Sequence, residues 1–66
     1  MEDWQQRVIE EKEALDKKLT KLQEFLGKSA KCERLPSDDK VLLVQQEMAM
    51  RQYSDILGER VAAFDN

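Results

Sequence analysis

Gly27-Lys-Ser-Ala-Lys-Cys-Glu-Arg-Leu-Pro36, followed by Ser37-Asp38-Asp39, is the stretch that divides this chain. Gly27 is suited to the left-handed conformation that ends a helix. Pro36 halts regular structure, Ser37 is placed to cap a new helix, and two acids in its first turn complement the helix dipole. The spacing therefore predicts a connection over residues 27–36, in which Ser29 starts a single turn that points Cys32 and Leu35 back toward the flanking helices. Lys28, Lys31 and Arg34 against Glu33 make it the positive end of a chain whose net charge is −3.

Upstream, Trp4, Val8, Leu15, Leu19, Leu22 and Leu26 recur at the three-and-four spacing of one helical stripe, which predicts a helix over about 4–26. Downstream, Val41, Leu42, Leu43, Ala49, Met50, Ile56, Leu57, Val61 and Phe64 predict a second over about 37–64. At 100° per residue the second set covers an arc wider than one partner helix needs. The two helices would be roughly 35 and 42 Å long, matched closely enough to fold back antiparallel with Trp4 near Phe64. The expected fold is all-α: residues 1–66 form one helical-hairpin domain that assembles into a homo-oligomeric bundle.

Self-association is expected because 66 residues bury too small a core to be stable without a staple. A single cysteine excludes an internal disulfide, and the absence of histidine removes the usual zinc patterns. No cofactor or metal is expected. No apolar run approaches the roughly 20 residues that cross a bilayer, and Met1-Glu2-Asp3 does not resemble a signal peptide, so a cytoplasmic protein with no membrane partner is expected. Fourteen acids against eleven bases argue against duplex nucleic acid, whose binding depends on many Lys/Arg contacts to phosphate. Without histidine to activate Cys32 or to shuttle protons, and with Asp38 and Asp39 adjacent and pointing apart, enzymatic chemistry is not expected.

Polar residues occur where apolar ones should be. Gln46, Tyr53 and Arg60 are spaced by seven inside the arc of Leu42, Leu57 and Phe64; Trp4, Glu11, Lys18 and Phe25 are spaced by seven on the first helix. A seven-residue step drifts only about 20°, so each set forms a nearly straight line. Burying such groups unpaired would cost several kcal/mol each. They must be paired within the hairpin, as Glu11 with Arg60, or paired between chains, or left open to water and a ligand. Ser54, Gly58 and Ala62 form a strip of small residues on a flank of the second helix. A mid-helix glycine costs about 1 kcal/mol relative to alanine, which close approach of another helix or a ligand would explain.

Trp4-Gln-Gln-Arg7-Val8-x-x-Glu11-x-x-x-Leu15, continued by Leu42-Leu43-x-x-Gln46-x-x-x-Met50-x-x-Tyr53-x-x-Ile56-Leu57-x-x-Arg60-Val61, resembles a family of very short phage proteins known as crAss-phage-related proteins of unknown function. The polar matches Arg7, Glu11, Gln46, Tyr53 and Arg60 carry the resemblance. In architecture the chain is also similar to phage sponge proteins of the anti-CBASS and anti-Thoeris kind, small helical oligomers that hold cyclic nucleotide signals between protomers. The resemblance implies a phage protein in an infected bacterial cell that sequesters a nucleotide-derived signal without catalysis. The candidate ligand residues are Trp4, Arg7, Glu11, Lys18, Gln46, Tyr53 and Arg60. Tyr53 or Trp4 would stack on a base, Arg60, Arg7 or Lys18 would take phosphate, and Gln46 and Glu11 would read donors and acceptors. The competing expectation is a protein-interaction module that docks a host or virion partner through its apolar helix face.

Overall fold

The computed structural model describes residues 2–28 and 30–64. Two long helices, α1 (Asp3–Lys28) and α3 (Ser37–Ala62), are joined through the short α2 (Ala30–Glu33). Good helix formers fill both long helices, and each reaches about 39 Å at 1.5 Å per residue. They lie side by side and antiparallel in a rod of 47 × 15 × 14 Å. The register is constant along the rod: Trp4 meets Phe64 at one end, Lys12 meets Ser54 midway, and Gln23 meets Glu47 nearer the turn.

The seam is narrow. Val8 and Leu19 of α1, Cys32 of α2, and Ser54 and Leu57 of α3 are buried, with Leu57 only 1% exposed. Leu15, Leu22 and Leu26 of α1 and Leu43, Met50 and Val61 of α3 are half-buried on the same two stripes. Cys32 and Leu35 do turn back toward the long helices, Cys32 buried and Leu35 half-buried. The expected start of that turn at Ser29 lies outside the described residues.

Three local expectations are corrected. Gly27 is not a left-handed cap: α1 continues through it to Lys28, and no described residue has positive φ. Glycine accepts the right-handed helix as well as the left-handed cap, and here helical hydrogen bonding extends past it. Ser37 does not cap α3. Pro36, at φ −56° and ψ 150°, holds the N-cap position, with no side-chain cap bond, and Ser37 is already helical. The missing proline N–H costs nothing there, because the preceding backbone amides of a helix start are unpaired in any case. The second helix ends at Ala62 rather than Phe64, with Ala63 and Phe64 in a turn. At the start of α1, the Gln5 side chain accepts from the Glu2 backbone N–H at 2.7 Å, one half of a capping box.

Candidate ligand-binding face

The polar contacts across the hairpin define one flank. Lys12 Nζ donates to Asp16 Oδ2 at 2.8 Å and to Ser54 Oγ at 3.1 Å, while Ser54 Oγ donates to the other oxygen of Asp16. Gln23 Nε2 donates to Glu47 Oε2 at 3.0 Å on the same side. Lys12, with the Ser54 hydroxyl second, holds the Asp16 carboxyl below the usual carboxylate range against a small opposing effect of burial. Gly58 belongs to this flank too: a Cβ there would stand 3.3 Å from Lys12 Cε. What comes close at Gly58 is thus the Lys12 side chain of α1 in the same chain.

The candidate residues lie on the other flank. Seen end-on, two antiparallel helices number their residues in opposite senses. Stepping away from the seam on the side opposite Lys12 leads on α1 to Trp4, Glu11 and Lys18, with Arg7 at the edge, and on α3 to Gln46, Tyr53 and Arg60. Both lines therefore open on a single face. The edge-on packing of Trp4 against Phe64, ring centroids 5.2 Å apart, closes its open end. Interleaved with the α3 line are Leu42, Ala49 and Ile56, all exposed.

All seven candidate residues are exposed, Trp4 at 53% and Tyr53 at 42%. For Gln46, Tyr53, Arg60 and Glu11 this corrects the expected place inside the apolar arcs. The arc that α3 buries is centred on Leu43, Met50 and Leu57, so Gln46, Tyr53 and Arg60 fall on its shoulder. The pairing of Glu11 with Arg60 does not form; among the described residues the ion pairs are Lys12 with Asp16 and Arg51 with Glu47. Gln46 makes one weak contact, its amide donating to Met50 Sδ at 3.8 Å. Open grooves elsewhere are lined by Asp16, Lys17, Thr20, Lys21 and Glu24 on α1 and by Lys40, Val41, Val44 and Gln45 on α3.

A protein-family model described as Sequestin matches residues 2–63, which takes in both long helices and every candidate residue. The chain belongs to the Sequestin family. No curated protein and no solved structure matches this Sequestin-family chain. The family match therefore extends over the whole exposed face described above, including both of its lines.

The Lys12, Asp16 and Ser54 network is the feature that sequence reasoning missed. Its signal was present: Lys12 and Asp16 are an i,i+4 pair adjoining the Val8, Leu15 and Leu19 stripe, and Ser54 sits three residues before Leu57. No helix of the described residues is long and apolar enough to cross a membrane, and none of their Cys, Asp and Glu side chains cluster as a metal site.

Proposed function

We propose that this chain is a phage-encoded, homo-oligomeric binding protein that sequesters a nucleotide-derived immune signal, of the cyclic oligonucleotide or cyclic ADP-ribose type, without turning it over. The family name supports a sequestering role. The observation that carries the reading is the convergence of the α1 and α3 polar lines on one uncovered face. Exposed aromatic rings, guanidinium groups, an ammonium and an amide standing together offer stacking, phosphate binding and hydrogen-bond reading at once. In this reading Tyr53 and Trp4 stack, Arg60, Arg7 and Lys18 take phosphate, and Gln46 and Glu11 read the base or ribose. The partner protomer closes the face over the ligand. The protein works in the cytoplasm of the infected bacterial cell and needs no cofactor, membrane or duplex nucleic acid.

Holding the signal is the whole mechanism: capture by stoichiometric binding lowers its free concentration. Thermal stability measured with cyclic dinucleotides, cyclic trinucleotides and cyclic ADP-ribose isomers tests this directly. A ligand at about a hundred times its Kd stabilises the folded state by about 2.7 kcal/mol. For a domain of this size that raises Tm by about 10 °C or more. Absence of any shift across the panel favours the second reading, a module that docks a host or virion protein. Val41, Val44 and Met48, exposed on the outer side of α3, are the observation behind that alternative.

A further inference from the structure

Leu42, Ala49 and Ile56 on the outer side of α3 and Ala63 at its C-cap are spaced by seven, and all four are exposed. Leu42 is 62% exposed and Ile56 48%. Seven-residue spacing lines them up as a second stripe beside the one that α3 gives to α1. Between Lys40 and Asp55 the only charged residues of α3 are Glu47 and Arg51. These pair with each other at 3.4 Å, and Glu47 also accepts from Gln23 on the opposite flank. The outer stripe is thus bordered over this length by Gln45, Gln46, Gln52 and Tyr53. A surface stripe depleted of charge and rich in apolar groups has the composition of an interface core.

We propose that this stripe is the seam of a two-fold pairing with a second copy of the chain, the two α3 helices antiparallel about an axis level with Gln52 and Tyr53. The inference rests on the oligomeric reading above, and it sets Gln46, Tyr53 and Arg60 along one edge of the seam, so that the partner chain borders the proposed ligand face. Self-complementarity selects the arrangement. About that axis Leu42 lies opposite the partner's Ala63, and Ala49 opposite the partner's Ile56, so a large residue meets a small one at every layer. On the flanks of the seam Arg60 comes beside the partner's Gln46, and Glu59 beside the partner's Gln45, so each charge meets a neutral amide.

Other registers lose this fit. An axis level with Ala49 sets Ala49 on itself and Leu42 on Ile56, leaving a gap beside a crowded layer. A parallel pairing sets Leu42 on Leu42, Ala49 on Ala49 and Ile56 on Ile56, so that crowded layers alternate with hollow ones. A two-fold contact also closes on itself, leaving no open stripe to propagate a filament.

The test is a size swap read by sedimentation equilibrium on the full chain. Ala49→Ile crowds the layer and Ile56→Ala hollows it, so each single variant should weaken dimerisation by about tenfold. The double variant exchanges the two sizes across the axis and should return the dissociation constant to near the native one. A double variant as weak as the singles combined, or singles with no effect, overturns the pairing. A folded native monomer at micromolar concentration overturns the pairing and the oligomeric reading together. An oligomer that fails only the swap leaves the oligomeric reading standing. Oxidative crosslinking gives a second readout: Gln52→Cys should link to its own copy and Leu42→Cys should not. Self-linking by Leu42→Cys would establish a parallel arrangement instead.

Discussion

Ser54 of α3 bridges both members of an α1 ion pair, accepting from Lys12 Nζ at 3.1 Å and donating to Asp16. The hydroxyl is the polar tie across the middle of the hairpin, and Ser54 is 8% exposed. Ser54→Ala removes hydrogen bonds to charged groups, each worth about 1.5 to 3 kcal/mol at most where buried. Lys12 and Asp16 keep each other and remain partly solvated, and alanine regains about 0.5 kcal/mol of helix propensity. The expected net loss is about 1 kcal/mol, seen as a lower urea midpoint at unchanged slope. A higher midpoint would mean that the tie contributes nothing.

The same network sets a pH dependence. Lys12 and then Ser54 depress the Asp16 carboxyl, so the folded protein binds that proton less readily than the unfolded chain. The contribution is therefore fully present above the unfolded value, near about 3.9, and is lost as pH falls through the lower folded value. It is small, because the Asp16 side chain is 43% exposed and solvent screens it. Asp16→Asn should be less stable than the native chain at neutral pH, and the difference should shrink below about pH 4. A difference that grows on acidification would contradict the assigned direction.

The hairpin was legible because its signals are local and redundant: the α1 stripe, the Pro36-Ser37-Asp38-Asp39 start, and lengths that bring Trp4 to Phe64. The end of α1 was not, since Gly27 fits a helix or its cap and only the chain beyond it decides. The candidate lines were visible as lines, but their depth was not. The second helix carries apolar residues around much of its circumference, so no wheel reveals which stripe its own hairpin takes. The stripe turned inward, Leu43, Met50 and Leu57, is flanked by Ser54 and Glu47, which meet Lys12, Asp16 and Gln23 of α1. Leu42, Ala49 and Ile56 were thereby left outside, and Gln46, Tyr53 and Arg60 with them.

Gly58 offers a sharper test of packing. Alanine there gains about 1 kcal/mol of helix propensity, but its Cβ would meet Lys12 Cε at 3.3 Å. The lysine stem is flexible, yet its ammonium is tethered to Asp16 and Ser54. Gly58→Ala should therefore stabilise by clearly less than the full propensity gain, and the full gain of about 1 kcal/mol should appear only in a Lys12→Ala background. Equal effects in the two backgrounds would show that Lys12 does not press on this position.

Tyr53 and Arg60 separate a ligand face from a structural one. Both are exposed, so truncating either should change the stability of the hairpin itself by no more than about 0.5 kcal/mol. Arg60→Ala should nevertheless abolish most of the thermal shift given by an active cyclic nucleotide, because a guanidinium on phosphate supplies charge-assisted bonds that alanine cannot replace. Tyr53→Phe keeps the stacking surface and should retain binding that Tyr53→Ala loses. The single tryptophan, Trp4, gives an independent signal from the same face: base stacking should quench its fluorescence in proportion to bound ligand. Variants that unfold the protein without a specific loss of the shift would assign Tyr53 and Arg60 to the protomer interface alone, at the edge of the α3 seam formed by Leu42, Ala49 and Ile56.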